Sequence, residues 1–292
     1  MANLKAIRRR IGSVKNTQKI TRAMKMVAAA KLRRAQEAVQ NFRSYSDLMI
    51  TILAEVSKDA TADDHPLLER REPKKSLLIV ISADKGLCGG FNGNLCREVM
   101  RYVEAQELTP VLSLIGRKAA DYFERRPVEI DTRYQGVYDD PGYATAAKIA
   151  KGVAERYAAG DIDRIELAYN EFVSMMSQKP TVRTLLPVEL PKVDDKEGDA
   201  DDWVVPVDFI FEPGRKELLA ELLPQYVEVQ VYRALVESIA AEHAARMTAM
   251  DNATKNAEEM LDQLTLVYNR ARQSAITSEL MDIVGGAEAL ND

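Results

Sequence analysis

Residues 226–284 read YVEVQVYRALVESIAAEHAARMTAMDNATKNAEEMLDQLTLVYNRARQSAITSELMDIV, with neither proline nor glycine. Within them Tyr232, Val236, Ile239, His243, Arg246, Met250, Ala253, Ala257, Met260, Leu264, Val267 and Ala271 recur at alternating steps of four and three. That spacing is a coiled-coil seam. At a rise of about 1.5 Å per residue the helix would run on the order of 90 Å, several times the width of a small domain. Ala253, Ala257 and Ala271 lighten the seam, and Arg246 puts a positive charge in it. The stretch predicts a long helix that needs a partner.

The partner lies at the other end of the chain. From Leu4 to about Val56 the sequence predicts a single long helix with Gly12 as its only weak helix former. Leu4, Ile7, Ile11 and Val14 form one apolar stripe; Met24, Ala28, Leu32, Ala35, Val39, Phe42, Met49, Leu53 and Val56 form another. Between them Lys15, Asn16, Thr17, Gln18, Lys19, Thr21 and Arg22 make a polar interval. A two-helix seam wants apolar residues there, so the interval is expected to face something other than the partner helix.

Between the helices the pattern changes. Residues 57–75 have a linker composition with Pro66, Pro73 and several acids. Ser76–Ser82 is a short buried strand, the Gly86–Gly93 loop leads into a helix over about 94–105, and Pro110–Ile115 is a second strand followed by a helix through Ala119, Ala120 and Phe123. A weaker strand is expected over 128–134, a helix over 143–158, and strands over 164–173 and 181–187 that pair at the sheet edge. Residues 192–202 form an acidic loop, 207–211 a last short strand, and 215–223 a short helix ended by Pro224. This alternation predicts an α/β fold: a Rossmann-like parallel sheet with helices against it, inserted into an antiparallel two-helix coiled coil. The expected divisions are 1–56 with 214–286 for the coiled coil, 57–75 for the linker, 76–213 for the α/β domain and 287–292 for a tail.

The C-terminal helix is longer than the first, so its last turns are expected to extend past residue 1. Ile276, Leu280, Met281, Ile283 and Val284 would then lack an intramolecular cover, and exposed apolar area of that kind marks a binding site.

Composition narrows the function classes. The chain has 292 residues, with 46% hydrophobic and 29% charged, an ordinary balance for a folded protein large enough for one core or two. Its net charge of -5 conceals an N-terminal segment with eleven lysines and arginines and no acid up to Gln36. Acidic protein surfaces are the expected partners. Nucleic acid is disfavoured by the overall acidity and by the lack of nearby aromatic stacking residues. No apolar run approaches the roughly 20 residues of a membrane span. No secretory signal is evident, and Cys88 and Cys96 have neither disulfide-framework nor metal-ligand spacing, which suits a reducing cytoplasm.

The glycine-rich loop is the one enzymatic hint. A phosphate could sit there, yet Gly86, Gly89, Gly90 and Gly93 give no G-x-G-x-x-G and the chain has no G-x-x-x-x-G-K-[ST]. A tight turn using positive φ angles is the preferred reading. Asp84 and Lys85 stand at a strand end where catalytic residues often lie, but His65 and His243 are the only histidines and no catalytic constellation emerges. No catalytic residue, cofactor or metal ligand is expected.

Four stretches together resemble the γ subunits of F-type ATP synthases. These are Ile7–Lys31 (IRRRIGSVKNTQKITRAMKMVAAAK), Asp84–Asn92 (DKGLCGGFN), Glu242–Ala257 (EHAARMTAMDNATKNA), and Tyr268–Leu280 (YNRARQSAITSEL) with Ile283–Leu290 (IVGGAEAL). The resemblance covers essentially the whole chain. It implies a non-catalytic central rotor shaft, with the coiled coil inside a ring of three α and three β subunits. The α/β domain would rest on the membrane-embedded c ring, with an ε subunit as a further partner. Rotation driven by ion flow would force the β-subunit sites through different conformations, with ATP hydrolysis driving the reverse. The resemblance places Met24 and Lys25 facing an acidic loop of the β subunits and Arg246 in the matching part of the long helix. It sets Arg272, Gln273, Thr277 and Glu279 near the upper contacts between shaft and ring. Phe209, Phe211 and Glu212 fall in a segment at the foot near the c ring, where phenylalanines replace the tyrosines often found. It also implies a position on the cytoplasmic face of a bacterial inner membrane, within the F1 sector. The cysteine-free acidic loop stands where chloroplast members carry a regulatory cysteine pair, so no thiol switch is expected. A coiled-coil scaffold with a nucleotide-binding-like module is the competing class.

Overall fold

A computed structural model describes residues 4–58, 61, 64–138, 141–189, 212 and 214–288. In chain order the elements are α1 (Leu4–Val56), β1 (Ser76–Ile81), α2 (Phe91–Ala105), β2 (Val111–Ile115), α3 (Arg117–Phe123), β3 (Ile130–Tyr134), α4 (Tyr143–Ala158), β4 (Arg164–Phe172), β5 (Gln178–Leu186) and α5 (Arg215–Glu288). The chain divides into two compact units, Met1–Ala30 with Arg246–Asp292, and Lys31–Ala245.

The larger unit is built on a five-stranded sheet in the order β3-β2-β1-β4-β5. β1 pairs in parallel with β2 and β4, β2 in parallel with β3, and β4 antiparallel with β5. All six residues of β1 are buried, as a continuous apolar run requires of a strand covered on both faces. Its side chains alternate between faces. Leu77, Ile79 and Ile81 pack in a core with Leu53 and Val56 of α1, Ile149 and Val153 of α4, and Leu219, Leu223 and Val227 of α5. Leu78 and Val80 pack on the other face with Leu95 and Val99 of α2 and Phe123 of α3.

Three expected boundaries move. β5 begins at Gln178 rather than 181 and includes Pro180, which an edge strand tolerates because one side of its backbone needs no ladder partner. α2 starts at Phe91 and takes in Gly93. The helix beginning at Arg215 does not stop at Pro224 but continues as one 74-residue element. The missing proline hydrogen bond costs about 3 kcal/mol in a helix interior. Leu219, Leu223 and Val227 keep helical spacing across it and are all buried, each contributing about 1.5–3 kcal/mol. Burial wins. The acidic loop 192–202 and the strand expected over 207–211 lie outside the described residues.

In the smaller unit, Thr254 of α5 meets Thr21 of α1 and Asp251 meets Lys25, so the helices run antiparallel. Two sequence expectations change here. Lys15, Asn16, Thr17, Lys19 and Arg22 of the polar interval are exposed, but Gln18 and Thr21 stay in the seam. Gln18, Thr21 and Lys25 continue the covered positions 4, 7, 11 and 14 onward to 28 and 32 at steps of three and four, and Thr21 is 8% exposed. Along α5 the covered seam leaves the expected register after Ala257. Leu261, Leu264, Tyr268, Ala271 and Ala275 are partly covered, whereas Met260 is 42% and Val267 47% exposed. A helix of 3.6 residues per turn drifts by about 20° per heptad against a strict seven-residue repeat, which brings the next residue into the seam.

Candidate functional site

In an open sheet of this order, ligands occupy the crevice beyond the carboxyl ends of β1 and β4, where the strand order reverses. Here side chains fill that place. Ala83, Cys88 and Phe91 pack with Ala241 and Ala245 of α5 in one buried cluster, and Phe172 closes against it. The glycine-rich loop is thus a packing joint for the long helix. Asn92 fastens it, its Oδ1 accepting from the Ala83 amide at 3.0 Å. Gly89 takes φ +59, the use expected of a glycine in a tight turn. Asp84 accepts from the Arg117 amide at 2.9 Å and so holds the start of α3 rather than a substrate.

Cys96 lies buried on α2, and burial pushes its thiol up to about 11. At pH 8 the folded protein then holds roughly one thiolate per thousand at this position, and the thiolate is the nucleophile. Iodoacetamide at pH 8 should therefore leave Cys96 unmodified in the folded chain and alkylate it in urea, as peptide mapping would report. Among the described residues no group of three or more His, Cys, Asp or Glu is arranged to hold a metal ion.

The polar layer of the smaller unit is the more distinctive construction. Lys25 Nζ donates to Asp251 Oδ1 at 2.5 Å, and Lys255 reaches Asp251 Oδ2 at 3.2 Å. Their hydrogen bonds hold the Asp251 carboxyl below the usual carboxylate range. One turn away the hydroxyls of Thr21 and Thr254 lie 2.8 Å apart, with Thr254 donating to the Met250 carbonyl at 2.7 Å. A polar layer in an apolar seam fixes register at some cost in stability. Changing Thr21 and Thr254 together to valine should leave the chain as stable or up to about 1 kcal/mol more stable. Thermal melts of the single and double variants measure this. Thr21, Asp251 and Thr254 were not singled out as contacts from sequence; the unbroken 18, 21, 25, 28 spacing is the signal that puts Thr21 in the seam.

Met24 and Lys25 are partly covered, and Arg246 is likewise intermediate. Beside them Ile20, Met26 and Val27 are exposed on the side of α1 away from the seam. Arg272, Gln273, Thr277 and Glu279 are all exposed on the last turns of α5. Ile276, Leu280, Met281, Ile283 and Val284 share that region and are exposed as expected, Met281 by 68%. Glu212 is exposed, whereas Phe209 and Phe211 lie outside the described residues. The structure brings Lys25 of α1 to Asp251 of α5.

Paired long helices, a sheet crevice occupied by the chain's own side chains, and apolar side chains exposed on helix surfaces define an interaction subunit rather than a nucleotide-binding one. Comparison with known proteins makes this specific. The family model described as ATP synthase matches residues 3–290. The ATP synthase gamma chain of Pelotomaculum thermopropionicum is 50% identical over 290 residues, covering 99% of this chain and 100% of that one. The gamma chain of Geotalea daltonii is 48% identical over 99% of both. Among solved structures, a central stalk and c-ring chain of the Tetrahymena thermophila mitochondrial ATP synthase superposes with a TM-score of 0.58. It is 28% identical and covers 80% of this chain and 99% of that one. A chain of the Euglena gracilis mitochondrial enzyme shares the fold at a TM-score of 0.69 and 22% identity, covering 98% of this chain and 94% of that one. The chain belongs to the ATP synthase gamma chain family. It is a non-catalytic subunit of the central stalk, part of the F1 sector, and no described helix is long and apolar enough to cross a membrane.

Proposed function

We propose that this chain transmits torque between a membrane-embedded c ring and a ring of α and β subunits, at the cytoplasmic face of a bacterial inner membrane. The observation that carries the reading is the exposed apolar surface on the last turns of α5, where Ile276, Leu280, Met281, Ile283 and Val284 are left uncovered by the other described residues. Surface of that kind needs a sleeve. In this reading the shaft comprises residues 1–56 and 214–286, the base 76–213, with 57–75 a linker and 287–292 a tail. Arg272, Gln273, Thr277 and Glu279 contact the ring around the tip. Met24 and Lys25 face an acidic β-subunit loop together with exposed Ile20, Met26 and Val27, and Arg246 contributes a positive charge nearby. Phe209, Phe211 and Glu212 form the foot toward the c ring, with ε bound beside the shaft.

The test is reconstitution: the chain alone, α with β alone, and all three mixed, followed by co-elution and ATPase turnover. The expected result is no activity from the chain, a defined complex, and turnover well above that of α with β. A chain that neither joins the ring nor alters its turnover would overturn the reading and favour a coiled-coil scaffold.

A further inference from the structure

Within the larger unit a groove of about 520 Å³ opens between the second half of α4, the first turns of α5 and the chain around Pro66. Pro66, Leu67, Ala154 and Ala158 give it an apolar floor. Glu155, Glu221 and Glu228 stand around it against one cation, Lys151. Burial holds the His65 imidazole below its ordinary value, and its Nδ1 accepts from the Leu67 amide at 3.2 Å, both of which favour the neutral ring.

Pro224 sharpens the asymmetry. It has no N–H, so the Ala220 carbonyl one turn earlier lacks its i+4 amide, and both residues line the groove. Glu228 already accepts from the Tyr143 hydroxyl at 2.8 Å, and a carboxylate has lone pairs to spare. The groove therefore offers acceptors on an apolar floor and asks for donors carrying positive charge. A phosphate or another anion would meet repulsion. So would the chain's own 192–202 segment, where Asp194, Asp195, Glu197, Asp199, Asp201 and Asp202 outnumber Lys192 and Lys196.

We infer that this groove seats a lysine- or arginine-bearing apolar segment of a neighbouring subunit in the assembled complex. The inference rests on membership of the ATP synthase assembly, not on the placement of the ring contacts. Carboxylate footprinting tests it. The isolated full-length chain and the purified complex are treated with carbodiimide and glycine ethyl ester, then mapped by peptide mass. Glu155 and Glu221 should label readily in the isolated chain and several-fold more slowly in the complex. Carbodiimide without the added amine should join one of them to a partner lysine; protection without such a bond marks arginine instead. Equal labelling in both samples would overturn the inference, as would shielding already complete in the isolated chain.

The double variant E155K/E221K supplies a second readout. Both residues are exposed, so the chain should still fold and enter the complex, yet leave it about tenfold faster. An unchanged dissociation rate counts against the groove. Failure of the unaltered chain to enter any complex would instead defeat the assembly reading, and the two failures are distinguished by co-elution.

Discussion

Replacing Gly116 with alanine is expected to destabilise the chain by at least about 3 kcal/mol, enough to leave much of it insoluble on expression. Gly116 lies at φ +91, and a Cβ built there would stand 2.0 Å from the Ser82 carbonyl oxygen and 2.9 Å from Ser82 Oγ. None of those atoms can yield cheaply. Ser82 accepts from the Ala119 amide through Oγ at 2.8 Å, and its own amide donates to the Ile115 carbonyl at 2.9 Å. These bonds tie the end of β1 to the end of β2 and the start of α3. The substitution therefore pays twice, in backbone strain and in separation of two central strands. Urea unfolding followed by circular dichroism would read the change as a lower midpoint; a shift under about 1 kcal/mol would mean that the β1–β2 junction relaxes freely.

Leu223→Ala is the second large effect, expected to cost about 3 kcal/mol. Leu223 is 0% exposed and lies in the core that joins α5 to β1, α4 and the end of α1. Its neighbour gives an internal control of opposite sign. Pro224→Ala supplies the amide that the Ala220 carbonyl lacks and removes a poor helix former, so it should stabilise by about 1 kcal/mol after the unfolded chain regains its freedom. If α5 truly ended at Pro224, the alanine variant would gain little and the leucine variant would lose less. Both are measured by the same urea titration.

How much of this was legible depended on whether local pattern and tertiary packing agreed. β1 could be read directly because an unbroken apolar run has one comfortable home, a strand covered on both faces. α1 and α5 were legible from their three-and-four spacing over many turns. The reading failed where a local signal was overridden. Pro224 looked like a stop because sequence displays the missing donor but not the burial of Leu223 and Val227 on either side of it. The polar interval of α1 looked unpaired because the residues that answer it, Asp251 and Thr254, are 226 and 233 positions away from Lys25 and Thr21. No local rule connects them. The drift of the seam to Leu261 and Tyr268 was hidden for a different reason: Met260 and Val267 are equally apolar, so hydropathy alone could not choose between adjacent rows. The glycine-rich loop was correctly read as a turn, but that it docks against Ala241 and Ala245 required the fold.

The continuity of α5 has a mechanical meaning. An α-helix resists twisting through its ladder of backbone hydrogen bonds, and each rung shares the load with its neighbours. Among the 74 residues of α5 the ladder is interrupted by a proline at one interior position, Ala220 to Pro224. Within the larger unit, the turn with the absent rung is the most compliant length of the helix.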